Sequence, residues 1–341
     1  MRDVRDRDLP QDPAADPREA VAEALLAADG AFVSGEALSR RTGVSRTAIW
    51  KHVKALEAQG FVIESVPRLG HRLKSAPDEA RPLLVRRYLA PGIVLGRAGV
   101  WVDEIDSTNR LANAYAQSGA PHGFFVAAGR QTGGRGRRGR AWFSPAGGLW
   151  FSLVLTRPLP LRRAPELTLL ASVAVRRAIA KSAQVAPDIK WPNDLLLHGR
   201  KLCGILAEIR AEGEMVERAV IGIGINVNIP GEAFPEDLVV RATSLLAETG
   251  RTISLPALCA EVCNAFDPLY HRLVEHGEGF ARVMDEWTAS CATLGQWVRV
   301  DTPRGVLEGQ ASSVDETGAL ELILADGQRV RVHTGEELFS D

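Results

Sequence analysis

Residues 131–140 read QTGGRGRRGR, four arginines and four glycines in ten positions, with Trp142 just beyond. Arginine supplies a planar fork of donors that matches phosphate and carboxylate oxygens. Glycine lets the backbone take positive φ and come close to a ligand. With almost nothing apolar to bury, such a stretch resists folding alone and is expected to order when a ligand arrives. No Asp or Glu occurs between Asp106 and Glu166, so nothing nearby in sequence neutralises the arginines. The segment reads as a mobile anion-binding loop. From these residues alone the anion is a phosphate ligand or a nucleic acid, and a plain solvated basic loop stays open beside them.

Other residues that could do chemistry flank it. Ser107, Thr108 and Asn109 stand where a helix begins. Hydroxyls and an amide there can cap the helix or bind a polar ligand group against its N-terminus, and capping needs only one of the three. Lys190 and Asp194 lie in KWPND, and Lys201 opens KLCGILAEIR. Gly222 and Gly224 in AVIGIGINVN let something approach a sheet closely. The cysteines are Cys203, Cys259, Cys263 and Cys291. Cys259 and Cys263 are one helical turn apart, half of a metal site at most; two buried small hydrophobes in a reduced, cytosolic chain is the favoured reading.

These residues need elements to position them. Strands over 123–128 and 149–155 hold the arginine loop at both ends, as a binding loop requires. A strand over 100–102 precedes Ser107, and a helix with Leu111, Ala112, Ala114 and Tyr115 follows it. Helices over 167–182, 255–276 and 280–290, and strands at 189–197, from 201 and over 219–228, complete a central unit. From Gly295 short β runs at 297–300, 305–313, 319–324 and 328–333, parted by glycine turns, suit a small barrel.

Residues 17–75 form another module. Helical spacing puts Val21, Ala24, Leu25 and Ala28 on one face of a first helix ending at Gly30. Ser34 caps a short second helix, Thr42-Gly43-Val44 turns, and Ser45 caps a third that stops at Gly60. Ile49, Val53 and Leu56 face inward, which turns Arg46, Thr47, Lys51 and Lys54 outward. Strands at 61–66 and 71–73 form a wing, with Arg68 in its turn. This is a winged helix-turn-helix. Between Ser34 and Lys74 there are eight Lys/Arg against three Glu, while the 341-residue chain has a net charge of −1. That local excess is the footprint of DNA binding, with a protein-binding winged helix as the alternative. Trp50 reads as a packing residue rather than a base-stacking one.

Length implies two or three domains, and a hydrophobic fraction of 45% is that of a globular protein. Near-neutral charge leaves no global attraction to nucleic acid or membrane. No apolar run reaches the roughly 18–20 residues of a membrane helix. Residues 1–16, alternating Arg and Asp without an apolar run, read as a disordered extension and not a signal peptide.

Taken together, SRTAIWKHVKALEAQGF with its SVPRLGHRL wing, DSTN, GRGRRGR with Ala141 and Trp142, KWPND, RKLCGILAE, GIGINVN, FPEDL and ATSLL resemble the bifunctional biotin–protein ligases that also repress biotin operons. The stretches keep the family's order and cover nearly the whole chain after about residue 20. The set is specific where any one member would be weak. The resemblance implies an α+β protein: a winged helix-turn-helix over 17–75, a mixed-sheet, class II synthetase-like biotin/lipoyl ligase domain over 83–292, and an SH3-like β-barrel over 293–341. It implies activation of biotin with ATP to biotinyl-5′-adenylate and transfer to a lysine of a biotin carboxyl carrier protein. Operator DNA of biotin genes is the second partner, with the adenylate as corepressor and a homodimer as the adenylate-bound form; no membrane is involved.

The resemblance carries biotin contacts onto Ser107, Thr108, Asn109, Gln131, Arg135, Gly136, Arg137 and Lys201, and sets Trp142 by the adenine. Arg135, Arg137 and Lys201 become the catalytic residues, holding a carboxylate against an α-phosphate with Mg²⁺ on the phosphates. Asp194 is either a Mg²⁺- or adenylate-site carboxylate or a cap of its turn, and Lys190 a phosphate contact or structural. No base for the incoming lysine is assignable. SSVDETGAL and HTGEELF depart from the family's pattern, which touches turn geometry in the barrel. A ligand-sensing transcription factor with an inactive ligase domain is disfavoured by Arg135, Arg137 and Lys201. A lipoate-type ligase has no need of the GRGRRGR set.

Overall fold

The computed structural model describes residues 16–303, 305–333 and 336–338. The extension expected over 1–16 lies, apart from Asp16, outside the described residues. The chain divides into two compact units, 1–79 and 80–341.

In the first unit, α1 (Pro17–Ala27), α2 (Gly35–Thr42) and α3 (Arg46–Ala58) precede the antiparallel pair β1 (Val62–Val66) and β2 (Gly70–Ser75). Each helix starts at a side-chain cap: Asp16 accepts from Arg18 N–H, Ser34 from Ala37 N–H and Ser45 from Ala48 N–H. Gly43, at φ 72°, closes α2 in the left-handed conformation that an L side chain resists. Val21, Leu25, Leu38, Ile49, Val53 and Leu56 are buried, so the inward face of α3 is the one its spacing predicts. The loop before α2 docks on the wing, where Val33 and His71 exchange backbone hydrogen bonds of 2.8 and 2.9 Å.

The second unit begins with α4 (Pro82–Arg86). Then come β3 (Gly99–Ile105), α5 (Thr108–Gln117), β4 (Phe125–Gln131), β5 (Leu149–Leu155), the two-residue β6 (Leu159–Pro160) and α6 (Ala164–Ala183). β7 (Asp188–Lys190), β8 (Asp194–Leu197), β9 (Arg200–Glu212) and β10 (Met215–Ile225) follow, then α7 (Glu236–Val239), α8 (Leu245–Thr249), α9 (Leu255–His276) and α10 (Met284–Ala289). The strands run β3-β4-β5-β10-β9-β8-β7, with β6 beside β10. β3 and β4 are parallel and every other pair is antiparallel, so the sheet is mixed. All seven residues of β5 are buried, as a central strand covered on both faces must be. On β10 the alternation of side chains sends Ala219, Ile221, Ile223 and Ile225 into the main core with α6 and α9. The opposite face carries Gly222 and Gly224. The helix expected over 280–290 is instead a 3₁₀ turn at Phe280–Arg282 followed by α10.

β11 (Trp297–Thr302), β12 (Gly305–Val314), β13 (Leu320–Leu324), β14 (Arg329–Val332) and β15 (Glu336–Leu338) form an antiparallel sheet ordered β14-β13-β12-β11-β15. Four of its strands are those read from the sequence; β15 was not foreseen. This sheet shares the central core. Val298, Val300, Ala311, Leu320 and Leu322 belong to the same buried cluster as α6 and α9, and Trp191 Nε1–H donates to Gly318 O at 3.0 Å.

Gly70, at φ 109°, has no room for a Cβ, which would collide with the Val33 carbonyl. Gly70→Ala should therefore destabilise the first unit by about 2 kcal/mol or more. Calorimetry checks this: the transition of the first unit drops by several degrees, and an unchanged transition removes the constraint.

Candidate functional site

One cavity of about 240 Å³ gathers residues from the arginine loop and from the DSTN, KWPND, RKLCGILAE and GIGINVN stretches. Ser107, Thr108, Asn109, Gln131, Arg135, Gly136, Arg137, Trp142, Asp194 and Lys201 all line it. So do Arg140, Asn193, Asn226, Phe234, Leu238 and Arg241, to which sequence reasoning gave no role. The FPEDL and ATSLL stretches were visible signals for the last three, since Arg241 sits directly before ATSLL.

The N-terminus of α5 and the end of β4 build the first polar group. Ser107 occupies the N-cap position, yet its hydroxyl makes no capping hydrogen bond. Thr108 N–H and Oγ1–H both donate to Gln131 Oε1, at 2.8 and 3.2 Å, and Gln131 Nε2–H donates to Ser144 Oγ at 2.9 Å. The amide of Gln131 is thereby held in one orientation. Asn109 is occupied differently. Its Oδ1 accepts from Ser152 Oγ–H at 2.6 Å, and its Nδ2 donates to Glu208 Oε2 at 3.1 Å. That amide ties α5 to β5 and β9 and has little left to offer a ligand.

Gly222 accounts for the fit, because a Cβ there would strike Asn109 Oδ1. Gly224 and its cross-strand partner Gly204 do the same for Trp142: their Cβ atoms would lie 2.6 Å from Nε1 and 3.1 Å from Cζ3 of the indole. The approach to the sheet foreseen at Gly222 and Gly224 is therefore made by the protein's own side chains. Trp142 also meets Trp150 edge-on, with ring centroids 6.5 Å apart.

Lys201 and Asp194 face each other across the β8–β9 hairpin, with Nζ to Oδ2 at 2.5 Å. The Lys201 ammonium stands 5.1 Å from the centre of the Trp142 ring. Asp194 Oδ1 and Trp142 Nε1 are buried with no hydrogen-bond partner. Buried polar atoms without a partner cost about 1–3 kcal/mol each. Burial, with the charge of Asp194 adding to it, pushes the Cys203 thiol far above its usual range, so Cys203 is no nucleophile. Cys259 and Cys263 are fully buried on the core side of α9. Lys190 is buried and outside the cavity lining, which favours its structural reading.

The arginine loop follows a defined path. Gln131 N–H donates to Ser144 O, Trp142 N–H to Gly134 O, Gly136 N–H to Arg140 O and Gly133 N–H to Asp106 O. A 3₁₀ turn covers Arg137–Gly139. Backbone bonds thus supply what apolar burial does not. Arg137 Nη1–H reaches Asn193 Oδ1 at 3.4 Å, and Arg138 pairs with Asp301 of β11. Among the described residues Arg135 and Arg241 line the wall with no side-chain partner.

On the first unit, Arg46, Thr47, Lys51, Lys54 and Arg68 are all exposed. Arg46 pairs with Glu36 at 3.0 Å and Lys54 with Glu57 at 2.7 Å, exposed pairs that are readily exchanged. Arg68 stands at the wing tip with φ 69°. Trp50 corrects its sequence reading: it is 56% exposed and packs into no core, because it lies on the same outward face as Arg46 and Lys54.

Comparison with known proteins agrees with this division. A biotin/lipoate A/B protein ligase family model matches residues 101–226, a helix-turn-helix domain model residues 18–72, and a biotin protein ligase C-terminal domain model residues 293–336. The chain is 38% identical over 311 residues to the bifunctional ligase/repressor BirA of Bacillus spizizenii, covering 91% of this chain and 95% of that one. It is 31% identical over 304 residues to the Escherichia coli protein of the same name, covering 89% and 91%. A biotin protein ligase from Aquifex aeolicus, solved in complex with biotin and ATP, superposes with a TM-score of 0.62 at 27% identity, over 71% of this chain and 98% of that one. With ligase cavity, C-terminal sheet and winged helix-turn-helix all present, the chain belongs to the family of bifunctional ligase/repressors, the biotin protein ligases that carry a DNA-binding domain.

Proposed function

We propose that this protein activates biotin with ATP to biotinyl-5′-adenylate, transfers biotin to a lysine of a biotin carboxyl carrier protein in the cytoplasm, and represses biotin genes with the adenylate as corepressor. The observation that carries the reading is the one cavity in which a polar Ser107, Thr108 and Gln131 group meets Arg135, Arg137, Lys201 and Trp142.

The chemistry follows from charge. A biotin carboxylate attacks the α-phosphorus of ATP, forming a P–O bond as the bond to pyrophosphate breaks. Both reactants are anions, so cations fixed before the reaction both bring them together and stabilise the charge that shifts to pyrophosphate. An ammonium has three donors. Asp194 takes one from Lys201 and aims the other two, which suit a carboxylate and an α-phosphate oxygen. Arg135 and Arg137 supply the remaining positive charge. Ser107, whose hydroxyl is not spent on its helix, and the Thr108–Gln131 pair offer donors and acceptors to the ureido ring. Trp142 offers an apolar face to the adenine. In the second step the carrier lysine attacks the acyl carbon and AMP leaves with the bonding electrons.

Mg²⁺, when bound, neutralises the triphosphate. Asp194 is the one acidic side chain in the cavity lining among the described residues, and one of its oxygens is committed to Lys201. This donor set fits a metal held by phosphate and water, with Asp194 as at most one ligand, better than a cage built by the protein. The mixed anhydride is destroyed by water, so the arginine loop is read as a lid that covers it and excludes solvent.

Biotin-dependent exchange of pyrophosphate into ATP tests the enzyme. It should be present in the native protein and fall about 100-fold or more in Lys201→Ala, while biotin binding weakens less than tenfold. No exchange in the native protein at saturating biotin and Mg²⁺ removes the enzyme, and full exchange in the variant removes the role of Lys201. Asp301→Ala should loosen the lid by releasing Arg138. An exposed pair is worth about 1 kcal/mol at most, so labelled adenylate should escape two- to fivefold faster without carrier; an unchanged escape rate excludes the tether. Sedimentation should show a larger dimer fraction when biotin and ATP are added. A monomer throughout contradicts the corepressor reading.

A further inference from the structure

We infer that Trp50 reads a thymine methyl group in the major groove, so that the DNA site of this protein carries a thymine at one fixed position in each half-site. The inference rests on the repressor reading and adds to it the base that α3 selects.

The helix settles which way the indole points. Ile49, Val53 and Leu56 are buried, and Trp50, about a quarter turn round the helix from that stripe, is 56% exposed. Arg46, Trp50 and Lys54 follow one another at four-residue spacing, with Thr47 and Lys51 alongside. The largest side chain of α3 is therefore on its exposed side, and the exposed side chains beside it, Arg46, Thr47, Lys51 and Lys54, are polar or cationic. Lys54 Nζ stands 5.9 Å from the ring centre.

Such a face needs an occupant that offers anionic groups to the arginine and lysines and an apolar group to the indole. A protein surface would call for an apolar patch on α3, and Trp50 is the only large apolar side chain exposed on that helix. Base stacking would need bases out of the stack, whereas a helix in the major groove meets base edges. The C5 methyl of thymine is the one apolar group displayed there. Arg46, Lys51, Lys54 and Arg68 are placed to take phosphates on either side, because the ion pairs of Arg46 and Lys54 to Glu36 and Glu57 are exposed and weak.

The test uses the full-length protein with biotin, ATP and Mg²⁺ and a duplex enriched from a random pool. Each thymine is replaced in turn by uracil, which removes only the methyl group. One position per half-site should lose about five- to tenfold in affinity with the native protein. Trp50→Ala should bind the unmodified duplex about tenfold more weakly and lose nothing further from uracil at that position. Its affinity for unrelated duplex and its unfolding temperature should stay unchanged, since the side chain touches neither phosphate nor core. A native protein indifferent to every uracil, or a variant still as sensitive as the native protein, overturns the inference while repression stands. A native protein that enriches no sequence overturns both.

Discussion

The cavity depends on bare backbone at its floor. Gly204 and Gly224 face each other across β9 and β10, and Gly222 lies two residues along on the same face. A Cβ on any of them would occupy space taken by Trp142 or Asn109. Two groupings of the site are built on these side chains. Asn109 anchors the start of α5, which fixes Thr108, which orients Gln131 at the end of β4. Trp142 anchors the far end of the arginine loop and gives Lys201 a ring to stand over. Three missing methyl groups on a rigid central pair of strands thus set the distance between the two polar groupings. Sheet register is a stiff ruler, which is what a reaction between two separately bound anions requires.

Electrostatics supplies the second constraint. A loop with four arginines and no acid for dozens of residues on either side would repel itself unless partners came from elsewhere in the chain. Asn193 reaches Arg137 from the β7–β8 turn, and Asp301 reaches Arg138 from the C-terminal sheet. The first contact lies in the cavity wall and the second outside it, and Arg135 lines the cavity without a side-chain partner. Asp194 plays the corresponding part for Lys201, with the difference that this pair is mostly buried. A buried ammonium without a counter-charge would be costly, while one left a single partner keeps donors for a ligand. The C-terminal sheet is then more than an appendage. It shares the core through Trp191 and Leu320, and it is the element that carries the acidic partner of Arg138.

What was legible in the sequence divides along the same physical line. Residue types with a chemical purpose were legible: Ser107, Thr108, Gln131, Arg135, Arg137, Trp142, Asp194 and Lys201 were named from motif and charge, and the fold brings them to one cavity. Periodic elements were legible too, because α9 and β5 repeat their apolar pattern over several turns or residues. The parts that were missed are decided by contacts far apart in sequence. Nothing near Gly224 announces that its visitor is Trp142, and nothing near Asn109 announces that Ser152 and Glu208 will use up its amide. The helix expected over 280–290 begins as a 3₁₀ turn docked on α6, where the Glu166 carboxylate accepts from Phe280 N–H. Trp50 shows the reverse error. Size and apolarity alone suggest burial, but the period of α3 puts position 50 four residues from Arg46 and Lys54. Geometry outranks residue type there, and a large apolar group kept on a cationic face is better explained by what that face binds than by what it packs against.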